Sequence, residues 1–232
     1  MWPFFKKAML LASTVIAIDK RTFDAIKKYV PEANVVLLPN PVDVSRLPKY
    51  SGETKKQVVF LGWVVKTKGV EELIEAWNTI GNEYSDYNLV VIGQAKPEYF
   101  TVLKAMVKAD NVCFVGEMAH DDAMQTLAES SVFVLPSYTE GFPNSVVEAM
   151  ALGKAIVASD VGAIPEMLDG ECGIVIKPQN QGEIVEALRK IISDEAFRER
   201  ISENAYEKAY SEYSLERVYK CYKELWGSVK GI

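Results

Sequence analysis

The stretch Val132-Phe-Val-Leu-Pro-Ser-Tyr-Thr-Glu-Gly-Phe-Pro-Asn-Ser-Val-Val-Glu-Ala-Met-Ala-Leu-Gly-Lys-Ala-Ile-Val-Ala158 decides the fold. It opens on a short apolar run, Val132–Leu135, and passes through a turn-rich loop. It then enters a helix-length run, Asn144–Leu152, and closes on a second short apolar run, Ala155–Ala158. Neither short run alternates apolar with polar residues. Strands of that kind are buried on both faces, as in parallel sheets.

The same alternation extends in both directions. Further strand candidates are Thr14–Ile18, Val35–Leu38, Val58–Leu61, Leu89–Ile92, Val112–Val115 and Gly173–Ile176. Between them lie helix candidates at Thr22–Tyr29, Val70–Ile80, Pro97–Lys108 and Asp121–Glu129. The pattern predicts an α/β fold, a doubly wound, mostly parallel Rossmann-like sheet. The tail reads as three consecutive helices, Gln181–Ile192, Glu195–Tyr210 and Ser214–Trp226, whose aromatics are expected to pack. Proline and glycine at Pro39, Pro41, Pro48 and Gly52 mark a boundary. Residues 1–43 are read as one unit, 44–57 as a linker and 58–232 as the main domain.

At the N-terminus, two lysines precede the apolar run Ala8–Ile18, as in a secretory leader. The run is well short of the ~20 residues that span a bilayer. No small-x-small cleavage site follows it. The reading preferred is the end of a helix running into a buried strand.

Composition excludes several chemistries. The 232 residues carry 26 Lys+Arg against 32 Asp+Glu, a net charge of -6, which argues against a general nucleic-acid binder. His120 is the single histidine, too few for H-E-x-x-H zinc binding, and no G-x-S-x-G offers a nucleophile for a triad. It is expected on a surface loop or helix cap. Cys113, Cys172 and Cys221 form no C-x-x-C and read as buried reduced thiols of a cytoplasmic protein. No metal site is expected.

Open parallel sheets bind ligands at the carboxyl ends of their strands. Here Gly62, Gly93 and Gly116 follow three predicted strands directly, and Gly141 and Gly162 follow two more after short loops. Glycines there let a ligand approach the backbone. They are also ordinary turn residues. In Glu140-Gly-Phe-Pro-Asn-Ser-Val-Val-Glu148, Pro143 suits the first turn of a helix. The amides around Phe142, Asn144 and Ser145 would then face an anion or a sugar hydroxyl. Glu148 falls inside an apolar helix and needs compensating donors. A ribose diol would supply them. A buried lysine or backbone amides would do so equally.

Glu140 and Glu148 also form an E-x7-E element, and with it the chain resembles retaining glycosyltransferases of the GT-B fold, most like the large family 4 group. Other stretches match in order. Asn40-Pro-Val-Asp43 resembles the interdomain N-[GP]-V-D. Gly62 to Lys68-Gly69 resembles G-R-x4-K-G, and Asn111-Val-Cys-Phe-Val-Gly116 resembles N-V-x-F-x-G. Ser159-Asp-Val-Gly-Ala-Ile-Pro-Glu166 resembles S-D-x-G-[GA]-x-[PA]-E. The match runs from Thr14 onward.

The resemblance implies a donor-binding C-terminal half and these roles. Glu140 and the amides after Gly141 hold the donor sugar, and Glu148 binds the ribose. Lys68 neutralises the pyrophosphate. The backbone at Gly62, Gly116 and Glu117 edges the nucleotide. The donor would be a UDP-, GDP- or ADP-linked sugar and the acceptor a sugar or lipid-linked sugar, with no metal or other cofactor. Implied partners extend to a second copy or a missing N-terminal domain, and to a membrane surface for the full enzyme. Two departures stand out. Trp63 replaces the family arginine, and an indole cannot grip phosphate as a guanidinium does. Only residues 1–43 precede the linker, matching the end of the family's acceptor domain. Alternatives are a non-catalytic nucleotide-sugar-binding module, a subunit of a split transferase or, further off, a GT-B epimerase or phosphorylase.

Overall fold

The structure is a computed structural model that describes residues 2–49 and 54–228. The Ser51-Gly52-Glu53 part of the linker reading lies outside the described residues. Elements run α1 (Trp2–Leu11), β1 (Val15–Ala17), α2 (Lys20–Tyr29) and β2 (Val35–Leu37). Then follow β3 (Lys55–Leu61), α3 (Val70–Ile80), β4 (Asn88–Ile92), α4 (Pro97–Met106), β5 (Val112–Gly116) and α5 (His120–Glu129). β6 (Ser130–Leu135), α6 (Asn144–Ala151), β7 (Ala155–Ser159), α7 (Ile164–Met167) and β8 (Ile174–Ile176) complete the sheet region. The tail is α8 (Gln181–Ser193), α9 (Glu195–Lys208) and α10 (Leu215–Ser228).

β1 and β2 pair in parallel as a two-stranded sheet. The main sheet has six parallel strands in the order β5-β4-β3-β6-β7-β8. Successive strands step outward from β3 to β5, then return to the far side of β3 and step outward again. The order therefore reverses between β3 and β6, and the crevice at their carboxyl ends is where such sheets bind ligands.

The apolar runs explain the core. β6 and β7 are buried along their whole length, between helices on both faces. Trp77, Phe60 and Phe133 are the largest fully enclosed side chains. Trp77 Nε1 still finds an acceptor, Asn111 Oδ1 at 3.0 Å. β5 differs because it lies at the sheet edge, where burial alternates along the strand.

All eight strand candidates are present, within two residues at most ends. Four details depart from the sequence reading. The helix predicted over Glu195–Tyr210 ends at Lys208 and continues as a π-helical turn, Ala209–Tyr213. There the Tyr213 carbonyl accepts from Val42 N at 2.8 Å, so the tail is tied to the residues just before the linker instead of completing another α-turn. The short α7 was not legible in a segment read for its motif. Of the three thiols, all free, only Cys172 is buried; Cys113 is exposed because it lies on the edge strand. Finally, if residues 1–43 pack in another domain, their apolar sequence predicts exposure at Val15, Ile16, Ile18 and Val35–Leu38. Of these only Leu37 is exposed; Val35 and Leu38 are buried and the others half-buried, and α1 adds exposed apolar surface through Phe4, Phe5, Leu10 and Leu11.

Candidate functional site

The loops after β3 and β6 meet at the switch point, and two glycines set how closely. Gly69 has φ +70°, and a Cβ there would fall 2.0 Å from the Pro136 carbonyl oxygen. Tyr138 N then donates to Thr67 O at 2.8 Å, fastening one loop to the other. Gly162 has φ +56°, and its Cβ would fall 2.3 Å from Gly141 O and 2.5 Å from Glu140 O. Ala163 N donates to Gly141 O at 2.8 Å, which anchors the far side of the same loop. These glycines bring backbone against backbone. Their first service is to place Lys68 and Glu140, not to clear room for a ligand. Gly116 is different: nothing lies within 4 Å of where its Cβ would stand.

The loops bring Lys68 and Glu140 into direct contact. Lys68 Nζ lies 2.5 Å from Glu140 Oε1, and Ser137 Oγ donates to the same oxygen at 2.6 Å. Glu140 is nearly enclosed, with a side chain 9 % exposed, whereas Lys68 is 26 % exposed. A carboxylate so placed needs both donors. Ser137, itself buried, was missed in the sequence although it lies three residues before Glu140. Lys66, beside Lys68, leans toward Glu71 at 3.8 Å. Tyr138 OH donates to Glu72 and thereby ties the loop to the start of α3.

Glu148 lies one turn into α6, and its neighbours Val147 and Ala149 are buried. Its partner is neither a lysine nor a backbone amide. His120 Nε2 stands 3.0 Å from Glu148 Oε1. The exposed position expected for His120 is correct, but it is not a bystander. Glu148, Asn144, His120, Asp43 and Arg46 line one cavity of about 200 Å³. Asn144 and Glu148, spaced i and i+4, share a face of α6. A larger cavity, about 440 Å³, lies between the N-terminal strands and α9–α10. Phe142 faces that one, with its ring 5.9 Å from Tyr213.

The remaining predicted positions take the rim. Gly62 N donates to Ile92 O at 3.1 Å, and Gly93 N donates to Gly116 O at 2.8 Å, so the ends of β3, β4 and β5 form one continuous edge. Trp63 projects from it and is 73 % exposed, which excludes a packing role for its indole within the described residues. Glu117 is exposed and Ser145 half-buried. Among the described residues no group of acids, cysteines and histidine is placed to hold a metal ion, and no helix is long and apolar enough to cross a membrane.

Comparison with known proteins agrees with the fold. The family model for glycosyl transferases group 1 matches residues 45–208. A putative teichuronic acid biosynthesis glycosyltransferase of Bacillus subtilis, TuaC, is 26% identical over 201 residues, 80% of this chain and 48% of that protein. The C-terminal domain of a glycosyl transferase group 1 family protein, LpcC of Francisella tularensis, superposes with a TM-score of 0.68 at 28% identity, over 75% of this chain and 99% of that domain. Anabaena HepE, solved in complex with UDP and glucose, superposes with a TM-score of 0.84 at 21% identity, over 96% of this chain and 65% of that one. The chain spans about half the length of the curated relatives it matches. On its fold, its switch-point loops and the family match over most of its length, this chain belongs to the glycosyl transferases group 1, as a counterpart of their C-terminal domain.

Proposed function

We propose that residues 58–228 bind a nucleotide-diphospho-sugar and present it for transfer with retention of configuration. The observation that carries this reading is the Lys68–Glu140 pair at the switch point, with Glu148 further along the same loop-and-helix segment. Three functions are then spread along one ligand. Lys68 faces the pyrophosphate, Glu140 the sugar hydroxyls and Glu148 the ribose diol. In the free protein Lys68 and Glu140 satisfy each other. A donor would exchange that contact for a phosphate oxygen on Lys68, while Ser137 continues to hold Glu140.

The chemistry asked of this half is electrostatic. As the glycosidic bond to phosphate breaks, negative charge grows on the leaving oxygens. A fixed cation and the free amides at the start of α6 stabilise that charge without reorganising. The leaving phosphate, held on the acceptor's side, takes the acceptor hydroxyl's proton. HepE's bound UDP supports the choice of donor class, and TuaC's putative part in teichuronic acid biosynthesis supports a sugar-containing acceptor. On this reading residues 1–43 belong to the acceptor-side unit, and the chain alone binds donor but transfers slowly or not at all.

Calorimetric titration with UDP, GDP, ADP and their sugars tests the proposal. Lys68→Ala should weaken the diphosphates by about one to two decades, the equivalent of a charge-assisted hydrogen bond. Glu148→Gln should weaken nucleosides too. Glu140→Ala should weaken only ligands that carry the sugar. No saturable binding of any nucleotide at millimolar concentration overturns the reading.

A further inference from the structure

His120 opens α5, the helix that follows the Gly116 end of β5. Glu148 lies on α6, 28 residues further along the chain. The two side chains meet at 3.0 Å at the cavity that Asp43 and Arg46 border from the linker. Their surroundings differ. The Glu148 side chain is 18 % exposed and that of His120 is 65 % exposed. The carboxylate is fixed by the buried helix around it, and the imidazole is the partner free to swing into solvent.

A carboxylate has two acceptor oxygens, and a vicinal diol has two donors to place on them. In the free protein one of those oxygens, Oε1, is held by His120. We propose that His120 is a latch on the nucleotide end of the pocket: it occupies Glu148 Oε1 until a ribose diol displaces it, so nucleotide affinity falls as the imidazole becomes an imidazolium. A neutral imidazole gives up a hydrogen bond to a carboxylate, in which one partner is charged. An imidazolium gives up an ion pair as well as the hydrogen bond, so the diol displaces it at greater cost. His120 is thus a positioning residue for Glu148, and the inference rests on Glu148 receiving the ribose.

The charged groups around the imidazole are Glu148 from α6, Asp121 on its own helix, with Oδ1 3.8 Å from Nδ1, and Asp43 and Arg46 from the linker. Asp43 is already engaged by Ser45 N and Oγ, at 3.1 and 2.6 Å, and by Arg46 at 3.7 Å. The hydrogen bond to Glu148 raises the His120 pKa above its ordinary 6.5, Asp121 adds to this, and burial opposes it. The imidazolium therefore persists to a higher pH than in an isolated histidine.

The chain's single histidine gives an unambiguous imidazole resonance in NMR. The affinities of UDP, GDP and ADP are measured from about pH 5.5 to pH 8.5, across the histidine range, in the wild type and in His120→Gln, which keeps a donor but cannot gain the charge. The best-bound diphosphate is then compared with its 2′,3′-dideoxy analogue. The wild type should bind the ribonucleotide about tenfold more tightly at the upper end, because the diol then breaks a hydrogen bond and no longer an ion pair. His120→Gln should remove that dependence, and the dideoxy ligand should lack it. Ionisation of the phosphates is common to all of these measurements and cancels between them. Saturating nucleoside, which carries no phosphate charge, should lower the His120 titration midpoint. Ribonucleotide binding with the same pH profile in His120→Gln, and a midpoint unmoved by nucleoside, overturns the latch and leaves the donor reading standing. No ribonucleotide binding at any pH overturns both.

Discussion

Lys154 shows how a single charge can be enclosed without taking part in the chemistry. It is 4 % exposed and donates to the carbonyls of Ala128 and Ser130 at 2.6 and 2.9 Å. Those carbonyls belong to the end of α5 and the start of β6, so the ammonium caps a helix C-terminus, where a cation is favoured. Burial nevertheless pulls its pKa down to about 8 from 10.5. The sign of the linkage follows. Between those values the unfolded chain holds a proton that the folded chain has released, so stability rises with pH across that window. Lys154→Met removes the titration. The wild type should therefore gain on the order of 3 kcal/mol relative to Lys154→Met between neutral pH and about pH 11. Urea unfolding of both proteins at the two ends reads this directly, and a constant difference would show that Lys154 is not desolvated.

At the scale of elements, the loop between β6 and α6 carries the argument, and Gly162 from the next loop fixes it. Gly162→Ala would force a Cβ to within 2.5 Å of two carbonyl oxygens, in a left-handed backbone conformation. Gly170→Ala is the matched control, with φ +69° and nothing within 4 Å of its Cβ. Both should lose about 1 kcal/mol to backbone conformation. Only Gly162→Ala should also push Glu140 away from Lys68, weakening nucleotide sugars while leaving free nucleosides unchanged. Equal donor affinity in the two variants would mean that the loop absorbs the insertion. This comparison also shows what the sequence could convey. Strands β3, β4, β6 and β7 were legible because their runs Val58–Leu61, Leu89–Ile92, Val132–Leu135 and Ala155–Ala158, enclosed in the sheet, hold nothing but Val, Ile, Phe, Leu and Ala. The E-x7-E spacing was legible because both carboxylates lie on one short segment. The contact of Glu148 with His120 was not, because it joins two helices that only the sheet order makes neighbours. The glycines were recognised as a rim, but not that Gly162 packs backbone to backbone on Gly141, nor that Gly69 does so on Pro136 across the switch point. The π-helical turn escaped because its cause is a hydrogen bond to Val42, some 170 residues earlier in the chain.

Across the molecule, the described residues form two hydrophobic clusters of unequal size. The larger runs from Val42 to Tyr213 through the six-stranded sheet. The smaller has only Ala17, Ile26, Val30, Ala33 and Val35 fully buried, under a two-stranded sheet. Two strands are marginal without further packing, so the segment 2–38 depends on how it is fastened to the rest. The fastenings in the described structure are polar and mostly solvent-facing. Lys20 N donates to Glu166 Oε2 at 3.2 Å at the start of α2, and Arg21 pairs with Asp160 Oδ1 at 2.5 Å. Exposed ion pairs of this kind contribute at most about 1 kcal/mol. The N-terminal segment should therefore open as a unit, well below the free energy of global unfolding. Native-state hydrogen exchange tests this. The amides bonded between β1 and β2 should exchange through an opening several kcal/mol easier than the amides of β6 and β7. Arg21→Ala should lower protection in the first group and leave the second unchanged. Equal protection in both sheets would mean that the small cluster and its polar fastenings are held as firmly as the main core, and that the N-terminal segment does not open as a unit.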